Sequence, residues 1–299
     1  MAGEGRGGRE ASGEGRARQP AVAGSFYPGR PDRLRDLVHG LLLEALGHGG
    51  GTPMGALVPH AGLVYSGLVA ATGWRALLDA APPAPTIVIL GTNHSARFEG
   101  VAVDAAGAWR LPTGDAPIDA GVADRIVALG HPFVARPAAH RDEHSIEVQL
   151  PLVAALRPGA RIVPCSVSAG TGATAMEAGE RLGVLLAALR RSGGELLLAI
   201  STDMAHYPSH DEAALVTERL APAICTLDPR ATASLERAAR TAGTRGMACG
   251  MCGIEPTVLG LTTLRAMGAS GGQVLAAATS ADAGGPSDRT VGYLAVSFA

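Results

Sequence analysis

Thr86-Ile87-Val88-Ile89-Leu90 runs directly into Gly91-Thr92-Asn93-His94. A short apolar run with no polar alternation is the pattern of a strand covered on both faces, as in α/β folds. The arrangement recurs twice. Ala56-Leu57-Val58 leads into Pro59-His60-Ala61-Gly62, and Leu196 to Ser201 leads into Thr202-Asp203-Met204-Ala205-His206. Three strands thus deliver a histidine just beyond their carboxyl ends, the rim where open α/β sheets bind ligands. Asn93 is the single asparagine of the chain and directly precedes one of these histidines.

Outward from these strands, helical and strand patterns alternate. Pro31 opens a helix with Leu34, Leu37, Val38, Leu41 and Leu42 on one face, and a helix over about Ser66 to Ala80 follows the first strand. Helices are expected near Ala120 to Leu129, Ser145 to Leu156 and Ala173 to Arg191, with a strand at Arg161 to Val167. Two or three helices occupy roughly His210 to Met267, and strands at Gln273 to Thr279 and Val291 to Phe298 close the chain. This alternation predicts one three-layer α/β domain over residues 19–299. Residues 1–18, a Gly/Arg/Glu tract, read as a disordered tail, and His48 to Gly51, Gly170 to Gly172 and Gly284-Gly285 as loops.

Composition narrows the function classes. With 299 residues, 47% hydrophobic and 17% charged, the chain can bury a sizeable core. A net charge of −2 gives no electrostatic footprint for nucleic acid or an anionic membrane. Every cation is arginine, so chemistry that needs a lysine ε-amine is excluded. Four cysteines in a chain of this length do not make a disulfide scaffold, and no apolar stretch is long enough to span a bilayer. The N-terminus has no apolar leader, so a cytoplasmic location is expected.

The chemistry-bearing residues fall in three groups. A lone histidine is more often structural than a ligand, and His39, His48, His131 and His210 read that way. Three histidines at three strand ends read better as metal ligands, because neutral imidazole is the commonest one. In the segment His140 to Pro151, His144 and Glu147 are three apart and would share a helix face. That pair could ligate metal, act as acid and base, orient other ligands, or simply start a capped helix. Cys249-Gly250-Met251-Cys252-Gly253 opens a further helix. Its CxxC could be a zinc half-site, a redox dithiol or two inert thiols; one thiol as soft ligand in a mixed N/S site is the most economical reading.

Taken in order, these motifs resemble the Memo family, the protein-B component of the Amme–Memo–radical-SAM grouping. The resemblance runs from Ala23-Gly24-Ser25-Phe26-Tyr27-Pro28 and Pro59-His60-Ala61-Gly62 with Tyr65-Ser66-Gly67, through Gly91-Thr92-Asn93-His94 and Asp142-Glu143-His144-Ser145-Ile146-Glu147. It continues through Ser201-Thr202-Asp203 with His206 to Cys252-Gly253 with Pro256. The resemblance implies a mixed sheet between helical layers, similar to the class III extradiol dioxygenases. It implies an iron or copper ion on His60, His94 and Cys252, with His206 as an acid–base residue beside Asp203. Asn93, His144 and Glu147 would line or support the pocket. The additional Cys249 competes with Cys252 for the thiol role, and Glu255 stands where a helical turn could bring a carboxylate near. Amme-domain and radical-SAM proteins are the implied partners. The expected function is metal binding with non-haem oxidoreductase activity; the alternatives are an adaptor on a dioxygenase-like shell and metal sequestration.

Overall fold

The computed structural model describes residues 17–46, 52–105 and 107–299. Its first half runs β1 (Ala17–Arg18), α1 (Pro31–Glu44), β2 (Gly55–Val58), α2 (Leu63–Leu78), β3 (Thr86–Thr92), β4 (Gly100–Val103), β5 (Ala108–Leu111) and β6 (Gly114–Pro117). Then come α3 (Ala120–Val127), β7 (Phe133–Ala135), α4 (Leu150–Leu156), β8 (Arg161–Ser168), α5 (Ala173–Arg191) and β9 (Leu196–Ser201). The chain closes with α6 (His210–Cys225), α7 (Pro229–Thr241), α8 (Ile254–Met267), β10 (Gly272–Thr279) and β11 (Gly292–Phe298).

Eight strands form one mixed sheet in the order β10-β11-β2-β9-β3-β8-β4-β7. Its centre, β2-β9-β3-β8, is parallel, and every residue of β2, β9 and β3 is buried. That burial requires cover on both faces, and helices flank the sheet in two groups. α2 packs on β2, β10 and β11 together with α1 and α4, while α8 packs on β9, β3 and β8 beneath α5 and α7. Close backbone approach is built into the second group. A Cβ at Gly179 would stand 2.6 Å from the Leu259 carbonyl, and one at Gly183 2.5 Å from that of Thr263. Local signals set the helix ends: Pro31 stands in the first turn of α1, Asp228 caps α7 through the amides of Arg230 and Ala231, and Gly268 ends α8 at φ 104°.

The three-layer α/β architecture matches the expectation, and three local readings change. Of the expected tail, residues 1–16 lie outside the described residues, as does the loop His48 to Gly51. Ala17 and Arg18 are instead β1, paired in parallel with β5 in a small sheet with β6. No strand was expected between Thr92 and Ala120, yet β4, β5 and β6 lie there, each four residues long and too short to show a period. The helix expected from Ser145 begins as a 3-10 turn over Glu147–Gln149 and becomes α-helical at Leu150.

Candidate metal centre

Because β2, β9 and β3 are adjacent and parallel, their carboxyl ends share one edge of the sheet. That topology brings His60, His94 and the Asp203–His206 segment together. β9, in the middle, supplies the link: the Asp203 carboxylate accepts hydrogen bonds from His60 N at 2.7 Å and Ala61 N at 3.2 Å, closing the turn after β2. From the other side, the segment before α8 folds over the same edge. Cys252 N donates to the Asp203 carbonyl, and Asp203 N donates to Cys252 Sγ at 3.3 Å.

His60 lies at the centre. Its Nε2 is 3.3 Å from Cys252 Sγ and 4.0 Å from Asp203 Oδ2. Its ring centroid is 5.3 Å from that of His94 and 5.5 Å from that of His144; those two rings stack at 4.5 Å. Two donor groups result, His60/His94/His144 and His60/Asp203/Cys252, each with its ligand atoms within 4.8 Å of one another. Cys252 belongs to one of them; Cys249 and Glu255 belong to neither. Cys249 instead pairs its backbone with His206, and Gly253 presses on the strand ends, where a Cβ would stand 2.5 Å from Thr202 Cβ.

The electrostatics suit a cation. Burial, then the neighbouring His94 and His144, hold the His60 pKa well below its ordinary value of 6.5, and burial likewise lowers His144 and His206. These imidazoles are neutral at pH 7 and offer lone pairs. Burial, then the Asp203 charge, raises the Cys252 thiol well above its usual range, and Asp203 itself is raised by burial against the pull of His206. His206 Nε2 is buried without a hydrogen-bond partner and 3.8 Å from Asp203 Oδ2. Soft and nitrogen donors converging beside an orphaned ring nitrogen fit a borderline or soft metal ion better than a hard cation, which takes oxygen ligands.

Two of the expected supporting residues sit elsewhere. Asn93 closes its own turn, its amide donating to the Ala96 carbonyl and accepting from Ala96 N. Glu147 shares no helix face with His144; its carboxylate accepts from Arg18, from Ala21 N and Val22 N, and from Tyr27 Oη at 2.6 Å, and so fastens the N-terminal segment. Glu143 occupies the place expected of Glu147. It accepts from His94 N at 2.6 Å, His94 Nδ1 at 3.0 Å, and the amides of His144 and Ser145. Burial alone would raise this carboxyl, but the His94 bonds and charge outweigh it and hold the pKa well below the usual range. Ser201 and Gln149, beneath His60, also escape sequence reading. Glu143 and Gln149 stood in the segment His140 to Pro151 and Ser201 at the end of a strand already singled out, but no local signal gave any of the three its role.

The chain is similar to known proteins over most of its length. A family model described as Memo-like protein matches residues 18–297. A MEMO1 family protein of Methanopyrus kandleri is 35% identical over 290 residues, spanning 94% of this chain and 98% of that one. Others from Methanosarcina mazei (33%, over 93% of this chain and 98% of theirs) and Methanothermobacter thermautotrophicus (31%, over 92% and 98%) are similar along their length. Among solved structures, an uncharacterized protein of Escherichia coli K12 superposes with a TM-score of 0.54 at 17% identity, covering 83% of this chain and 100% of that chain, a likeness of fold.

Proposed function

Since the chain belongs to the Memo family, we propose that it is a metal-binding protein that holds a redox-active iron or copper ion on His60, His94 and Cys252. The observation that carries this reading is the 3.3 Å approach of Cys252 Sγ to Nε2 of the buried His60, the residue that the His94-containing and the Cys252-containing donor groups share. When bound, the ion would supply a Lewis-acidic, one-electron centre able to take a small molecule at open positions. The chain's own residues have separate tasks around it. Glu143 orients His94, and the Asp203 amide donates to the sulfur. The Cys252 proton must leave for the thiolate to form, so binding is coupled to proton release. His206, neutral and unpartnered at Nε2, is free to accept a proton from a molecule on the Asp203 side. A non-haem oxidoreductase activity, in line with the resemblance to extradiol dioxygenases, uses these groups together.

Anaerobic purification followed by metal quantification tests the reading. Near-stoichiometric iron or copper is expected in the wild type and loss in His60→Ala, His94→Ala and Cys252→Ala. Retention in Cys252→Ala with loss in His144→Ala would move the site to the three imidazoles. A wild type that stays metal-free after reconstitution with ferrous and cuprous ions would sink the proposal.

A further inference from the structure

Beneath His60 lies a chain of buried polar groups whose hydrogen directions can be deduced one from the next. Trp74, on α2, is fully buried, and an indole N–H only donates. Its Nε1 is 2.7 Å from Gln149 Oε1, which fixes the amide: a flipped Gln149 would set two donors against each other. Both hydrogens of Gln149 Nε2 are then committed, one to the Pro59 carbonyl at 2.8 Å and one to Ser201 Oγ at 2.9 Å. Ser201 Oγ stands 2.7 Å from the Ser145 carbonyl, an acceptor only, so the single hydroxyl hydrogen lies there. The third contact of Ser201 Oγ, 3.1 Å from His60 Nδ1, therefore has no hydrogen left on the serine side. The proton must come from the imidazole.

We infer that Trp74, Gln149 and Ser201 are positioning residues that lock His60 as the Nδ1–H tautomer and so leave Nε2 bare toward Cys252. A neutral imidazole carries one ring proton; with it on Nδ1, the Nε2 lone pair points at the Cys252 sulfur 3.3 Å away. His94 is set the same way by a different device, since its Nδ1 faces the Glu143 carboxylate, an acceptor. Two candidate ligands, each just beyond a strand end, thus commit Nδ1 to a protein acceptor and leave Nε2 free, one through an anion and one through a neutral relay. Gln149 adds a second constraint, because Pro59, whose carbonyl it holds, directly precedes His60. All four side chains of the relay are at most 1% exposed, so bulk water does not compete for these bonds. A structural core network would need only satisfied partners; this one also selects which nitrogen of His60 is free.

The consequence for metal affinity rests on the metal-binding reading above, whereas the tautomer does not, and the test separates them. Nitrogen-15 NMR of the histidine-labelled, metal-free protein at neutral pH, with His60 assigned by its absence in His60→Gln, distinguishes a protonated Nδ1 from a protonated Nε2. The wild type is expected to show Nδ1–H. Ser201→Ala is expected to shift His60 toward Nε2–H, and Ser201→Thr, which keeps the hydroxyl, to restore Nδ1–H. Titration with Co²⁺ is then expected to give an affinity about 10–100-fold weaker for Ser201→Ala than for the wild type and Ser201→Thr, the range typical of groups that orient ligating histidines. An Nε2–H tautomer in the wild type overturns the inference even if the variants fail to fold. An unchanged Nδ1–H in a folded Ser201→Ala overturns it as well. The expected tautomers with no Co²⁺ binding by the wild type would sustain the relay while removing the metal reading.

Discussion

Glu143 grips His94 twice, its Oε2 accepting from the backbone amide at 2.6 Å and its Oε1 from the ring Nδ1 at 3.0 Å. One carboxylate therefore sets both the position and the rotation of a candidate ligand, while its other bonds, to the amides of His144 and Ser145, tie the loop before α4 to the end of β3. Glu143→Gln puts an amide where four N–H donors converge. Chemical denaturation is expected to show a loss of about 3 kcal/mol, because a buried charge-assisted network loses its acceptor. Metal affinity of the folded fraction should fall about 10–100-fold.

Arg18 is the second clamp on that loop. Its Nη1 pairs with Glu147 at 2.6 Å, and it also donates to the carbonyls of His140 and Glu143 while its guanidinium lies 4.1 Å over the Trp109 ring. Its side chain is 9% exposed and that of Glu147 0%, so this is a buried pair. Arg18→Met should cost about 3–5 kcal/mol, the range for breaking such a pair from one side. A loss under about 1 kcal/mol on urea unfolding would show that the amides of Ala21 and Val22 and the Tyr27 hydroxyl suffice for Glu147.

His140 predicts an acid-sensitive fold. Burial, opposed by the bond to the Ala102 carbonyl, pushes its pKa down to about 4 from 6.5. Between those values the unfolded chain binds a proton that the folded one refuses, so stability falls as pH drops from 6.5 toward 4, by about 3 kcal/mol at 1.36 kcal/mol per pH unit. His60, His144 and His206 are lowered too and act in the same direction. The measurement is therefore a difference: His140→Gln, which can keep a donor to Ala102, should lose less stability than the metal-free wild type between pH 7 and 4.5. Equal losses would refute the assignment.

Gly253 tests how tightly the Cys252 segment is seated. An added Cβ would meet Thr202 Cβ at 2.5 Å and Thr92 Oγ1 at 2.7 Å, side chains at the ends of two central strands. Gly253→Ala is expected to destabilise by about 1–3 kcal/mol through overpacking. Displacing Cys252 from His60 should also lower metal content, checked by elemental analysis of the purified variant.

Cys252 gives the last prediction. Its thiol is raised well above the ordinary range by burial and Asp203, so the metal-free protein holds it protonated at pH 7. Metal binding should release that proton, and apparent affinity should rise with pH. Calorimetric titration in buffers of different ionisation enthalpy reads the proton count directly; no release in the wild type, or the same release in Cys252→Ser, would exclude the thiol as ligand.

The amino-acid sequence by itself determined the alternation of helices and buried strands, because continuous apolar runs and 3.6-residue periodicity are local properties. It also determined that His60, His94 and His206 follow three strands, since a strand end is marked by where the apolar run stops. Tertiary structure decided which donors meet. The crossover that inserts β9 between β2 and β3 puts Asp203 beside His60, and the packing of α8 on β9 brings Cys252 rather than Cys249 to the cluster. It also gave Glu143 the task that helical spacing assigned to Glu147. The chain from Ser145 through the turn at Glu147–Gln149 is not α-helical, so a three-residue interval there does not place two side chains on one face. The relay from Trp74 to His60 was invisible for the same reason: its members are up to 141 positions apart and meet only because α2, the segment before α4, β9 and the turn after β2 share one buried edge.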